Sequence, residues 1–194
     1  MFAAGDEDMA RKNIMNGKKK GLSIIIPCLN EEGNVRATVS SIKEAVSNAG
    51  AFADYEIIII DDGSTDSTGT VIDSLAAGER RITAVHNGRN MGFGYSYTEG
   101  VRRAAKEYIV MVPGDNEIPT EAMEKIFSHA HTADVLIPYT ANTEVRKPSR
   151  RALSRLFVIG MNLLFGLDLR YYNGICVIRS SLLKKTPMKT RGFA

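Results

Sequence analysis

Short apolar, β-branched runs alternate with amphipathic stretches along this chain, and that rhythm predicts a fold class before any single residue is weighed. Leu22–Pro27 (LSIIIP), Tyr55–Ile60 (YEIIII), Ile82–Val85 and Tyr108–Val112 (YIVMV) are too short to be helices of their own. Such runs suit strands buried on both faces of a parallel sheet. Pro27 is expected to end the first strand, since it has no N–H for a ladder. Asn30 is then expected to cap a helix whose first turn carries Glu31 and Glu32 at the positive end of the helix dipole. Its apolar positions Val35, Val39, Ile42 and Val46 recur at helical spacing, and Gly50 closes it. A second helix runs through Val71, Ile72 and Leu75 to near Gly78, with Ser64 and Thr65 as capping residues before it. Gly92, Gly94 and Gly100 describe a flexible loop running into a further helix, where the backbone can approach a ligand or a neighbouring strand closely. Helix Thr120–His129 and strand Asp134–Pro138 complete a fourth β-α-β unit. The predicted fold class is α/β, a mostly parallel central sheet with helices on both faces.

Length and composition keep this picture. The 194 residues suffice for one α/β domain with a core, and 44% hydrophobic with 24% charged residues is ordinary for a soluble globular protein. Cys28 and Cys176 lie far apart in apolar runs without metal-ligand spacing, and read as buried free thiols. His86, His129 and His131 show no ligand spacing and read as surface or structural. The N-terminus lacks the apolar core of a signal peptide, and no run of about 18 apolar residues is present to span a bilayer.

Charge adds an asymmetry. The net charge of +3 conceals eleven Lys and Arg against the single acid Asp168 from Val145 onward. A basic end on a mildly acidic body suggests contact with phosphates of a nucleotide, a membrane surface or a lipid; the alternative is a solvated basic face. The apolar stretch LFVIGMNLLFGL, flanked by Arg150, Arg151, Arg155 and Arg170, is too short to span but suits a membrane interface, with a core or partner-facing helix as the alternative.

Candidate chemistry sits at strand ends. Asp61 and Asp62 follow the isoleucine run; Asp115, Asn116 and Glu117 follow Tyr108–Val112. Ligands of open α/β sheets bind beyond the carboxyl ends of the strands. The first strand is followed by CLNEEGN, not GxGxxG, and no GxxxxGK[ST] loop occurs, so dinucleotide and P-loop chemistry are not expected. Carboxylates at i and i+2 in an extended turn can share a hard cation, Mg²⁺ or Mn²⁺, with a diphosphate. The first acidic turn is then left to accept hydrogen bonds from a base or ribose. Against both stands the fact that Asp, Asn and Gly favour turns in any case.

In order, IIIPCLNEEGNV, EIIIIDDGSTDST, NMGFGYSYTEG and VMVPGDNEIP resemble the inverting family 2 glycosyltransferases, from Leu22 to about Arg179. The resemblance implies the GT-A fold, a nucleoside-diphosphate sugar and a divalent cation. It is nearest to the polyprenyl-phosphate sugar transferases of the dolichyl-phosphate mannose synthase type. Carried over, Pro27, Leu29 and Glu31 match nucleoside-contacting positions, and Ile60 and Asp62, with Asp61 beside them, match those around base and ribose. Asp115 matches the last acid of the family's DxD metal motif and Gly114 its middle residue; Glu117 stands where relatives often carry Gln and can add a metal ligand. Asp168 and Gly174 match a later D-x-x-S-G-F-R-like element.

The departures are specific. Pro113 replaces the first acid of DxD, Pro138–Thr140 replaces a Gly-Ser-Arg, and Cys176 replaces an arginine, although Arg179 is kept. Arg146, Arg150 and Arg151 precede a helix and are candidates to assist a leaving diphosphate, surface charge being the alternative. A lipid-phosphate acceptor is already anionic and needs no protein base, whereas a sugar hydroxyl does. No clear base follows Asp115 except Asp168, which favours the phosphate. The expected organisation is a mobile arm over 1–20, a nucleotide-sugar-binding core over 21–140, and a basic, acceptor-side, membrane-proximal segment over 141–194 that is incomplete at its C-terminus. The expected function is metal-assisted, inverting transfer of a sugar from a nucleoside-diphosphate donor to polyprenyl phosphate or a glycan. Expected partners are these, with peripheral membrane contact at a cytoplasmic face and no nucleic acid. The alternative is a nucleotide-binding protein of the same fold with impaired catalysis.

Overall fold

The β-branched runs form the strands they predict. A computed structural model describes residues 20–139, 148–170, 172 and 174–188. Its strands are β1 (Gly21–Cys28), β2 (Asp54–Asp61), β3 (Ile82–His86), β4 (Tyr108–Met111), β5 (Val135–Leu136) and β6 (Val177–Arg179). The helices are α1 (Val35–Ala49), α2 (Thr68–Gly78), α3 (Phe93–Arg103), α4 (Thr120–His129), α5 (Pro148–Phe165) and α6 (Ser180–Leu183). The expected N-terminal arm, apart from Lys20, lies outside the described residues, as does Arg146.

The described residues fall into two compact units, one running to Leu136 and resuming at Val177, the other Ile137–Cys176. The first holds a six-stranded sheet in the order β3-β2-β1-β4-β6-β5. β1 pairs in parallel with β2 and β4, and β2 with β3. The register sets Ile24, Ile25 and Ile26 beside Ile57, Ile58 and Ile59. Side chains alternate across a sheet. Accordingly Ile25, Ile58, Ile60 and Ile109 share one core with Val101 of α3, with Ala104 just past that helix and with Leu183. Ile24, Ile26, Ile57 and Ile59, equally buried, are left for the other face, where buried residues of α1, α2 and α4 form the second layer. At roughly 1.5–3 kcal/mol for each fully buried isoleucine, these two layers are the largest favourable term in this unit.

Four expectations are corrected. Pro27 does not end β1: it pairs with Ile60 within the strand, and its carbonyl accepts from the Gly114 N–H at 3.3 Å, past the end of β4. Helix α1 starts at Val35 rather than after Asn30, and Asn34 at its N-cap makes no side-chain cap bond. Gly50 does close it, at φ +60° with its N–H on the Val46 carbonyl. Ser64 and Thr65 do not cap α2, whose N-cap is Ser67. Finally, the strand expected over Asp134–Pro138 is only the two-residue β5, and it does not pair with β4. Val177–Arg179 inserts between them, antiparallel to both. Arg179 anchors that insertion: its guanidinium donates to Asp134, to Glu107 at 3.0 Å and to the Tyr108 hydroxyl at 3.1 Å. The retained arginine is thus a structural tie at the sheet.

The second unit contains α5 and the turn after it. Gly166 ends the helix at φ +63°. Asn162 holds the chain that follows, donating to the Leu169 carbonyl at 2.9 Å and accepting from Leu169 N–H at 3.1 Å and Tyr172 O–H at 2.6 Å. Among the described residues no helix is long and apolar enough to cross a membrane.

Candidate active site

The strand order has a consequence for chemistry. β2 and β3 lie on one side of β1 and β4 on the other, so the crevice of an open α/β sheet falls beyond the carboxyl ends of β1 and β4. A cleft of about 550 Å³ lies there, the size of an ordinary ligand site. Pro27 and Cys28 line it from the end of β1, Leu29 and Glu31 from the loop that follows, Pro113, Gly114 and Asp115 from the turn after β4, and Asp62 from just past β2. The loop into α3 completes it through Asn90 and Gly92, and the first turn of α3 through Phe93 and Ser96. Of the residues expected from the sequence, Pro27, Leu29, Glu31, Asp62, Gly114 and Asp115 are brought together. Ile60 is not: it is fully buried in the core beneath.

The two adjacent aspartates part company, as alternation along a strand requires. Asp62, only 5% exposed, accepts from Asn87 Nδ2 at 2.7 Å and Met91 N–H at 3.0 Å on Oδ1, and from Gly92 N–H at 2.9 Å on Oδ2. A carboxylate has about four acceptor sites, so one is left for a ligand N–H or O–H. Asp61 instead accepts from Ser64 N–H at 2.9 Å and contacts His86 Nδ1 at 3.1 Å, while His86 Nε2 reaches Asp73 at 3.0 Å. Burial alone would raise the Asp61 carboxyl, but its bonds from Ser64 and His86 outweigh that and hold it below the usual carboxylate range. The bonds to Asp61 and then Asp73 push the His86 imidazole up. His86 thus braces Asp61 and takes the structural role expected of it.

The β1 and β2 loops are clasped to each other. Asn30, at φ +58°, accepts Thr65 N–H at 2.8 Å and returns its own N–H to Ser64 Oγ at 2.9 Å. Glu31 N–H donates to Thr68 Oγ1 at 2.8 Å, and Ser67 N–H to Glu32 at 2.7 Å. The residues read as helix caps therefore cap one another across two loops, and so fix where Leu29 and Glu31 stand.

At the β4 end, Asp115 Oδ1 accepts Glu117 N–H at 3.1 Å, and Asn116 takes φ +56°. Glu117 is exposed and does not line the cleft; its backbone, not its carboxylate, serves the turn. Cys28, 2% exposed, packs under Gly114. Burial first, then the charges of Glu31, Asp61 and Asp115, push its thiol up to about 12. The three carboxylate charges, unlike the burial, would favour a cation there. Among the described residues no three His, Cys, Asp or Glu side chains form a metal cage. A single carboxylate nonetheless suits Mg²⁺ or Mn²⁺, which takes one or two carboxylates when a substrate diphosphate and water supply the rest. Asp115 fits that chemistry.

The sequence profile described as Glycosyl transferase family 2 matches residues 23–186. The chain belongs to this family. Among curated relatives, it is similar to CsbB of Bacillus subtilis (strain 168), at 30% identity over 153 residues, 78% of this chain and 46% of that one. It is also similar to the undecaprenyl-phosphate 4-deoxy-4-formamido-L-arabinose transferase of Pseudomonas fluorescens (strain SBW25), at 24% identity over 164 residues, 82% of this chain and 46% of that one. This family 2 chain therefore spans less than half the length of either relative. Among solved structures, glucosyl-3-phosphoglycerate synthase from Mycobacterium tuberculosis, in complex with Mn²⁺, UDP and phosphoglyceric acid, superposes with a TM-score of 0.58 at 18% identity. The match covers 94% of this chain and 62% of that one, and shows the GT-A fold. The cleft residues Cys28, Asn90, Phe93 and Ser96 carry no ligand signal of their own in the sequence; the glycine-rich NMGFG stretch is the one signal pointing toward two of them, Asn90 and Phe93.

Proposed function

We propose that this chain binds a nucleoside-diphosphate sugar in the β1/β4 cleft and transfers the sugar, with inversion, to polyprenyl phosphate at a cytoplasmic membrane surface. The observation that carries the reading is the placement of Asp62 and Asp115 at two strand ends of one cleft, with the clasped β1 loop between them. The nucleoside lies toward Leu29, Glu31 and Asp62, and the diphosphate toward Gly114 and Asp115. Asp115 would hold the divalent cation. When bound, the cation offsets charge that develops on the leaving diphosphate. Arg146 is proposed to act on the same charge. A lipid phosphate attacks as an anion, so the cleft needs no general base. The named activity of the Pseudomonas relative supports this acceptor, and the UDP and Mn²⁺ of the mycobacterial neighbour support the donor and the ion.

Membrane contact rests on α5. Leu153, Leu156, Phe157, Ile159, Leu163 and Leu164 are 50–85% exposed, with Arg155 also exposed on the same helix. An apolar face of this kind beside arginine suits the headgroup boundary of an anionic bilayer.

Pro113, in place of a first acid, favours a second reading: a nucleotide binder with impaired transfer. One experiment separates them. Calorimetry with UDP and with GDP, with and without Mn²⁺, measures binding, and release of nucleoside diphosphate on adding undecaprenyl phosphate measures transfer. Binding and release are expected; binding without release selects the second reading, and no binding of either nucleotide overturns both.

A further inference from the structure

We infer that Thr38 of α1 is a positioning residue for Asp115, holding the acidic turn in the register that cation-dependent nucleotide binding requires. The inference rests on the assignment of the cation to Asp115. Six residues of α1 are buried: Val35, Thr38, Val39, Ile42, Ala45 and Val46. Thr38, 1% exposed, alone among them carries a polar side-chain group. A valine of the same shape would fill the site without burying a hydroxyl, and an unpaired buried hydroxyl is costly. What the hydroxyl touches is therefore informative. Its near acceptor is the Gly114 carbonyl at 2.9 Å, 76 residues away; the alternative, its own helix carbonyl at Asn34, is farther at 3.2 Å. A single proton goes to the shorter and tertiary bond, rather than to the back-bond a helical threonine ordinarily makes.

The bond lands at a critical peptide. The Gly114 carbonyl belongs to the peptide that leads into Asp115. Cys28 packs against Gly114, its Sγ 2.5 Å from where a Cβ would stand. The Gly114 N–H makes only a long bond, 3.3 Å, to Pro27. Asn116, just beyond, is in the left-handed region at φ +56°, and its side chain reaches Ser41 of the same helix at 3.4 Å. Helix α1 thus grips the turn, with Thr38 as its short bond. β-Branching stiffens that grip, because the threonine side chain has few rotamers to lose.

The test compares Thr38→Val, Thr38→Ser and Asp115→Ala in the 194-residue chain, titrating UDP and GDP by calorimetry across a series of Mn²⁺ concentrations. Thr38→Val is expected to raise the Mn²⁺ concentration for half-maximal nucleotide binding about tenfold, the scale of losing a partner outside the metal's own ligands. Metal-free nucleotide affinity should stay as in the wild type, and Thr38→Ser should restore the Mn²⁺ dependence. An unchanged Mn²⁺ dependence in Thr38→Val, while Asp115→Ala abolishes it, overturns the inference alone. So does a Thr38→Ser variant that behaves like Thr38→Val, or an equal loss of metal-free binding, either of which makes the effect one of general packing. If Asp115→Ala keeps the wild-type dependence, the cation assignment itself fails and the inference with it.

Discussion

Replacing Asp62 by alanine tests whether its carboxylate organises the protein before any ligand arrives. Three donors converge on it, from Asn87, Met91 and Gly92. They do not all lose equally. The Asn87 amide keeps Ser96 Oγ at 3.1 Å, and Gly92 N–H keeps Asn90 Oδ1 at 3.0 Å, but no second acceptor for Met91 N–H is found among the described residues. One stranded donor costs about 1–3 kcal/mol, and two weakened bonds to a charge add roughly another 1 kcal/mol, for a total near 3 kcal/mol. In a protein of this size that is a fall of about 6–12 °C in the unfolding midpoint. The assay is thermal unfolding by circular dichroism without nucleotide, alongside UDP and GDP binding. Asp62→Asn should fall between the two, since its amide oxygen still accepts while its NH₂ faces a donor. An alanine variant that melts within about 1 °C of wild type yet has lost nucleotide binding would refute the reasoning. It would mean that the carboxylate serves the ligand and the loop holds itself.

Other perturbations probe different joints. Gly63, at φ +75°, faces the Arg89 and Asn90 backbone, with Asn90 N 2.6 Å from where a Cβ would stand. Gly63→Ala should therefore cost about 3 kcal/mol, read as a lowered urea midpoint. Asn30→Ala loses both the clasp to Thr65 and a side chain tolerant of φ +58°, whereas Asn30→Gly loses only the clasp. Alanine should be the less stable of the two by about 1 kcal/mol, and equal midpoints would remove the backbone contribution. His86→Gln tests pH linkage. The folded-state value of His86 is raised, so its stabilisation is full below the unfolded value of about 6.5 and vanishes as pH rises through the raised value. Its partner Asp61 is lowered, so that carboxylate's share is full above the unfolded value and is lost only in strong acid. The deficit of His86→Gln should accordingly be larger at pH 6 than at pH 9, and no more than about 1 kcal/mol, because the ring is 40% exposed.

Sequence periodicity carries the central strands and long helices because their signals are local: a β-branched run, or apolar residues at helical spacing. Val177–Arg179 has three residues, too few for a period, and becomes a strand only because β4 and β5 offer edges on either side of it. The clasp between the Asn30 and Thr65 loops was hidden for another reason. Asn, Ser, Thr and Asp advertise hydrogen bonding to a backbone, but the chain does not say which backbone, and a partner 35 residues away competes with the nearest helix end. Thr38 escaped for the same cause, its acceptor being 76 residues distant.

The doublet Asp61–Asp62 shows what strand order adds to sequence. Both acids stand at the tip of β2, and motif resemblance groups them. Period-two alternation separates them, and the neighbours then decide their work: β3 offers His86 to Asp61, while the loop into α3 and the β1/β4 crevice receive Asp62. The two positions should therefore respond differently to the same change. Asp61→Asn should flatten the pH dependence that His86 confers while leaving nucleotide affinity near wild type. Asp62→Asn should leave that pH dependence in place and weaken both the loop and the nucleotide site. If both variants gave the same pair of effects, the division of labour between the two aspartates, and with it the placement of the nucleoside at Asp62, would have to be abandoned.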